Sequence, residues 1–140
     1  MVVSFETIEH VSNGSLWICE SARMLKPGGL LIVSTPNRDV TNPGLYYGEQ
    51  PVNPYHCFEY TISEFIGELL PSYDVLELYG QTIIPDHKIH ARQAVRGSLG
   101  RDLSYVPGFC PDIHGHQLVP LSTLKNAQPI FLSSLYALKK

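Results

Sequence analysis

Two carboxylates and two imidazoles could form one chemically active group in this chain of 140 residues. Glu6, Glu9 and His10 follow the pattern E-x-x-E-H, and His56 could return to the same rim from a later loop. Such a mixed set of oxygen and nitrogen ligands suits a divalent ion such as Mg²⁺ or Mn²⁺. Alternatively, His10 is a substrate-side base or a hydrogen-bonded scaffold residue, because an imidazole changes its charge near neutral pH. The spacing leaves these interpretations open.

The elements that must position these residues begin with two short strands. A β-rich segment covers residues 2–5, and the apolar run 30–33 has no alternation, which is typical of a strand buried on both faces of a parallel sheet. In open α/β sheets, ligands bind beyond the carboxyl ends of the strands. Residues 4–6 and 34–37, which follow these strands, are therefore predicted to border a crevice.

Two amphipathic helices are predicted between and after these strands. Ser12-Asn13 supplies cap chemistry for a helix over residues 14–25, which the sequence Pro27-Gly28-Gly29 ends. Thr61-Ile62-Ser63-Glu64 has the form of a capping box and opens a second helix, which Pro71 ends. The segment between them, residues 38–58, is rich in Pro, Gly, Asn and Tyr and is predicted to be a loop over a site.

The rest of the chain completes an α/β pattern. Strands are predicted over residues 75–79 and 130–138, and right-handed crossovers would make the strands parallel neighbours. We divide the chain into core elements over 1–80, an irregular insertion over 81–128 and a closing strand over 129–140.

Composition narrows the classes of function. The net charge of -3 gives no general attraction for nucleic acid, so a nucleic-acid partner is not expected. Cys19, Cys57 and Cys110 have no C-x-x-C spacing, which favours a reducing, cytoplasmic compartment over a disulfide framework. No apolar run approaches the roughly 20 residues of a membrane helix, so no membrane association is expected.

A zinc site has only weak support in the sequence. H-x-x-H and C-x-x-x-H-x-H spacings occur late in the chain, but structural zinc sites usually have more cysteines at closer spacing. The residues concerned are His87, His90, Cys110, His114 and His116.

Three segments in this order resemble class I S-adenosylmethionine-dependent methyltransferases. They are Phe5-Glu6-Thr7-Ile8-Glu9-His10-Val11, then Leu25-Lys26-Pro27-Gly28-Gly29-Leu30-Leu31-Ile32-Val33-Ser34-Thr35-Pro36-Asn37, then His56-x-x-Glu59-Tyr60-Thr61. The resemblance covers residues 1 to about 80. It implies an α/β fold that corresponds to the C-terminal half of a Rossmann-like, doubly wound methyltransferase sheet with three αβα layers.

The resemblance also implies S-adenosylmethionine as cofactor and methyl transfer to an oxygen or nitrogen of a small-molecule or glycan acceptor. Ser4, Phe5 and Glu6 would form the cofactor-facing wall, and His10 with Glu9 would act at the acceptor. The alternative for Phe5 is a core position. Tyr105, Phe109 and the late histidines would line the acceptor pocket.

Two further hypotheses remain open. The family's glycine-rich turn and the acidic end of its second strand have no counterpart here, since Met1 falls where the fourth strand would begin. We therefore expect a fragment of a longer protein, a sheet completed by a partner chain or a homodimer, or a non-catalytic remnant. The E-x-x-E-H pattern also resembles metal-dependent small-RNA 3′-terminal 2′-O-methyltransferases, in which Glu6, Glu9, His10 and His56 would hold the metal.

Overall fold

A mixed five-stranded sheet organises the fold, and the computed structural model describes residues 1–90 and 118–140. The strands lie in the order β1-β2-β5-β3-β4. Their bounds are β1 Val2–Ser4, β2 Leu30–Pro36, β3 Tyr73–Pro85, β4 Val119–Pro120 and β5 Ala127–Lys139. The helices with both ends described are α1 Gly14–Met24, α2 Arg38–Thr41 and α3 Ile62–Leu69, with 3-10 turns at Ile8–His10 and Leu121–Thr123. Residues 86–90 are also helical.

The strand directions correct one prediction. β1 and β2 are parallel, with Val2 opposite Leu31 and Ser4 opposite Val33, but β5 pairs antiparallel with both β2 and β3. The prediction that all strands are parallel neighbours is therefore wrong. The crossover rule applies only when the chain returns in the same direction, whereas β5 enters between β2 and β3 and runs opposite to both.

The two helices form where the capping chemistry places them. The Asn13 side chain accepts a hydrogen bond from the Leu16 N–H at 2.9 Å and so caps α1. At the start of α3, Thr61 and Glu64 form the reciprocal capping box. Both helices contribute to one apolar core with the sheet, which includes Ile8, Ile18, Ala22, Leu25, Leu31, Val33, Phe58, Tyr60, Phe65, Leu69, Tyr73 and Leu132.

Strand β2 is less deeply buried than its apolar run predicts. Leu31 and Val33 are fully buried against the helices, whereas Leu30 and Ile32 on the other face are only partly buried. Val3, opposite Ile32 in β1, is 48% exposed. Burial on both faces is thus wrong for the described residues, because the described helices α1 and α3 share the core of one face.

Several boundaries also differ from the prediction. Residues 81–85 extend β3 and residues 119–123 form β4 and a 3-10 turn, so the segment 81–128 is not wholly irregular. The predicted loop 38–58 begins with the short helix α2, which Asn37 caps. In each case backbone pairing or a cap adds regular structure that the local composition does not predict.

The architecture is mixed helix and strand, and three αβα layers remain a prediction. β1 is an edge strand of the described sheet, where a further strand could pair. Completion of the sheet by a partner chain or a second copy also remains a prediction. Within residues 1–90 and 118–140, every helix is too short or too polar to cross a bilayer.

Two glycines make a matched stability test. A Cβ on Gly14 would collide with the buried Tyr60 hydroxyl and Phe58 ring, whereas a Cβ on Gly67 in α3 meets nothing within 4 Å. We expect Gly14→Ala to lower the free energy of unfolding by about 1–3 kcal/mol. Gly67→Ala should raise it by about 0.5–1 kcal/mol, because alanine favours helix. Urea unfolding of both variants tests this packing, and equal effects would contradict it.

Candidate active site

The parallel pair β1 and β2 brings the first site segment onto the second. The Glu6 N–H donates to the Ser34 carbonyl oxygen at 3.2 Å, and the Ser34 hydroxyl donates to the Glu6 carboxylate at 2.6 Å. Glu6 adopts a φ of 47°, which is uncommon for a residue other than glycine. Burial raises the pKa of Glu6 above its usual range, although the Ser34 hydrogen bond opposes that shift.

Glu9 is a buried carboxylate on the 3-10 turn that follows β1. Its exposed fraction is 0%, and one oxygen accepts a long hydrogen bond of 3.4 Å from the Thr35 hydroxyl. The other oxygen, Oε1, has no hydrogen-bond partner among the described residues. Burial, with a smaller contribution from the charge of Glu6, raises the pKa of Glu9 to about 7. A carboxyl group in this state can hold or release a proton near neutral pH.

His10 lies beside Glu9 with a defined orientation. Its Nδ1–H donates to the Tyr55 carbonyl oxygen at 2.9 Å, since a carbonyl oxygen can only accept. The other ring nitrogen, Nε2, lies 3.9 Å from Glu9 Oε1. The neutral imidazole therefore keeps its lone pair on the nitrogen nearer to Glu9.

His56 and Glu59 line the cavity next to His10. His56 Nδ1 lies 2.7 Å from a Glu59 carboxylate oxygen, and the His56 ring meets the His10 ring edge-on with centroids 4.8 Å apart. Glu59 is 2% exposed, and it also accepts hydrogen bonds from the Thr41 hydroxyl and the Asn42 amide. This network connects α2 to the residues just before α3.

These groups surround one cavity of about 440 Å³. Its lining residues are Glu6, Glu9, His10, Pro36, Thr41, Asn42, Val52, Asn53, His56 and Glu59. One ligand atom from each of Glu9, His10 and His56 lies within 4.8 Å of the others, so these three could hold a metal ion. The expected return of His56 to the rim of E-x-x-E-H is therefore confirmed. The catalytic and metal-binding roles assigned to these residues stay predictions.

Ser4 and Phe5 lie at the carboxyl end of β1, outside the lining of that cavity. Ser4 is half-buried, and the Phe5 side chain is 58% exposed. A core position for Phe5 is therefore wrong, and a role for both residues at the cofactor stays a prediction.

Of the remaining sequence candidates, the structure describes His87 and His90, and neither lines this cavity. His87 and His90 are exposed on residues 86–90, which are helical. Cys110, His114 and His116, and the predicted acceptor-pocket residues Tyr105 and Phe109, lie outside the described residues.

Sequence reasoning missed four polar residues of the cavity, namely Thr41, Asn42, Asn53 and Glu59. Only Glu59 could have been predicted from the sequence, because it lies three residues after His56 within a recognisable motif. The other three belong to the segment 38–58, whose irregular path no periodicity describes.

Comparison with known proteins finds methyltransferases over part of this chain. A probable S-adenosylmethionine-dependent methyltransferase of Mycolicibacterium smegmatis is 41% identical over 70 residues, which are 50% of this chain and 26% of that protein. A Mycobacterium tuberculosis protein named in the same way is 40% identical over 70 residues, 50% of this chain and 24% of its own length. A ubiquinone biosynthesis O-methyltransferase of Chelativorans is 44% identical over 45 residues, 32% of this chain and 18% of that enzyme.

About half of this chain is thus a class I methyltransferase-like region, as the sequence predicts. The chain spans about a quarter of the length of the two mycobacterial relatives. No family model matches the chain, and no solved structure matches it.

The buried Glu9 carboxyl predicts a pH dependence of stability. Its pKa is raised from 4.5 to about 7 in the folded chain, so the unfolded chain ionises first as the pH rises. The free energy of unfolding should therefore fall between about pH 4.5 and 7 and level off above that range. Glu9→Gln should remove about 1–2 kcal/mol of this fall, which allows for solvent screening.

Urea unfolding at pH 5 and pH 8 measures this difference. Glu77→Gln, at an exposed position of β3, serves as the control. Its free energy of unfolding should change between the two pH values as much as that of the unaltered chain does. If the free energy of unfolding of Glu9→Gln fell between pH 5 and pH 8 as much as that of the unaltered chain, the raised pKa would be contradicted.

Proposed function

We propose that this chain is part of an S-adenosylmethionine-dependent methyltransferase that acts on an oxygen or nitrogen of a small-molecule or glycan acceptor. The observation that carries the proposal is His10 Nε2 beside Glu9 Oε1, in a cavity at the carboxyl ends of the two parallel strands. Glu9 is buried, and this oxygen accepts no hydrogen bond from the part of the chain that the structure describes. The methyltransferase relatives support the same reaction class. The exposed free thiols of Cys19 and Cys57 fit a reducing cytoplasm.

The residues at the end of β1 fit the cofactor. S-adenosylmethionine supplies a methyl group on a positively charged sulfur, which is electrophilic. The Phe5 ring is available for packing because it is 58% exposed, and the Glu6 carboxylate would attract the positive sulfonium. Ser4 lies at the same strand end. These three residues would therefore bind the cofactor and orient it relative to the cavity.

His10 and Glu9 would handle the proton of the acceptor. When an acceptor O–H or N–H loses its proton as the new bond to the methyl carbon forms, the lone pair of His10 Nε2 takes that proton. The electron pair of the broken carbon–sulfur bond stays on the sulfur. Glu9 lies 3.9 Å from Nε2 and stabilises the resulting imidazolium when it is ionised. The Tyr55 carbonyl oxygen keeps the ring in the orientation that this transfer requires.

Removal of His10 tests the proton-transfer role. His10→Ala should lower turnover by about 100-fold or more, because general base catalysis is lost, while the Kd for S-adenosylmethionine changes little. Transfer of tritiated methyl groups from S-adenosylmethionine to a panel of phenols, sugars and amines measures turnover. His87→Ala, at an exposed position outside the cavity lining, is the matched control. Equal turnover in both variants would contradict the assignment. A chain that binds cofactor but methylates no acceptor would support the non-catalytic alternative.

A metal-dependent form of the same reaction is the second candidate. Its specific support is the grouping of Glu9, His10 and His56. Glu9 Oε1 is buried without a donor among the described residues, and such a carboxylate oxygen suits a cation. Glu6 lines the same cavity and could complete an oxygen and nitrogen set. A terminal ribose diol of RNA is the acceptor that this alternative implies.

Cobalt(II) is a suitable probe for this second candidate. We expect saturable visible absorption bands in the unaltered chain and in His87→Ala, and at least about a tenfold weaker affinity in Glu9→Gln, because a ligand is lost. Absence of such bands, together with full methyl transfer in the presence of a chelator, would exclude the metal-dependent form and leave the first candidate intact.

A further inference from the structure

Glu59 is a buried carboxylate that the proposed reaction does not use. Three side chains donate hydrogen bonds to it: the Thr41 hydroxyl, the Asn42 amide at 2.8 Å and the His56 ring at 2.7 Å. Thr41 and Asn42 both donate to Oε2, which leaves Oε1 to His56. Because Thr41 and Asn42 lie together at the end of α2 and hold Oε2, whereas His56 contacts Oε1, the orientation of the carboxylate is fixed independently of His56.

The backbone of Glu59 is fixed as well. The Arg38 guanidinium donates to the Glu59 carbonyl oxygen at 2.9 Å and to the Glu64 carboxylate at 2.6 Å. Glu64 belongs to the capping box of α3, so the position of Glu59 is tied to the start of that helix. A residue held in this way at both its main chain and its side chain can orient a neighbouring ring.

Both nitrogens of the His56 ring have assigned roles. An ionised carboxylate only accepts, so Nδ1 carries the hydrogen that Glu59 receives. On the other side, Asn53 Nδ2 lies 2.9 Å from His56 Nε2. The Asn53 side-chain oxygen accepts from the Tyr55 N–H at 3.1 Å, which identifies Nδ2 as the donor to the ring. Nε2 is therefore the acceptor nitrogen of His56.

We propose that Glu59 is a positioning residue that holds His56 in the Nδ1–H tautomer, so that His56 presents an acceptor nitrogen on the Asn53 side of the cavity. Glu59 dominates this choice because a hydrogen bond to a buried carboxylate is stronger than one from an exposed amide. The edge-on contact between the His56 and His10 rings transmits the orientation of His56 to the neighbouring imidazole. The value of this arrangement for catalysis depends on the proposed function, whereas the tautomer itself does not.

Nitrogen-15 NMR of the imidazole rings tests the tautomer directly, at a pH where His56 is neutral. In the unaltered chain we expect the proton of His56 on Nδ1. In Glu59→Gln the ratio of the two tautomers should shift by at least about tenfold toward Nε2–H, because the charged acceptor is lost. His56→Gln identifies the signals.

Two variants separate positioning from general damage to the network. Asn53→Ala removes the bond to Nε2 but leaves Glu59, so the Nδ1–H tautomer should persist. Thr41→Val removes one donor to the same carboxylate without touching His56, and it should also keep the tautomer. If Glu59→Gln does not fold, the tautomer of His56 in the other two variants and in the unaltered chain still tests the proposal.

An Nε2–H tautomer in the unaltered chain would overturn the proposal. Loss of the Nδ1–H tautomer in Asn53→Ala, with Glu59 intact, would overturn it as well. A confirmed tautomer in a chain that binds S-adenosylmethionine but methylates no acceptor would support the non-catalytic alternative and leave the positioning role standing.

Discussion

The parallel pairing of β1 with β2 is the constraint on which the site depends. It sets Ser4 opposite Val33, so that the residues following each strand emerge at the same end of the sheet. The Glu6 carboxylate then meets the Ser34 hydroxyl, and Thr35 reaches Glu9. A shift of one residue in this register would turn Leu31 and Val33 away from the core and separate these contacts. Core burial and site geometry therefore select the same register.

The second wall of the cavity depends on a polar network rather than on the sheet. The segment between α2 and α3 contributes Phe58 and Tyr60 to the core. The rest of its path is held by hydrogen bonds to Glu59, by the Arg38 bridge to Glu64, and by the Cys57 N–H, which donates to the Glu9 carbonyl oxygen at 2.7 Å. Polar groups removed from water must keep their partners, so such a network allows few alternative arrangements. Its donors and acceptors thereby give His10 and His56 defined orientations, which an apolar loop could not provide.

The sequence predicted those features that local chemistry determines. Helices α1 and α3, with caps at Asn13 and Thr61, follow from periodicity and capping, and the residues of E-x-x-E-H follow from their position after a strand. The place of β5 between β2 and β3 depends on pairing between residues that are far apart in the sequence, which no local pattern predicts. Asn42 and Asn53 likewise reach the cavity through an irregular backbone. Glu59 lay within a visible motif, but its role became evident only when its three donors were known.

Calorimetric titration of the chain with S-adenosylmethionine tests the central claim most directly, which is that the carboxyl ends of β1 and β2 form part of a methyl-donor site. The account predicts saturable binding to the folded chain. It also predicts weaker binding in Glu6→Gln, because the charge that attracts the sulfonium is lost, and unchanged binding in Glu77→Gln. A folded chain that shows no saturable heat, or a Glu6→Gln variant that binds as tightly as the unaltered chain, would contradict it.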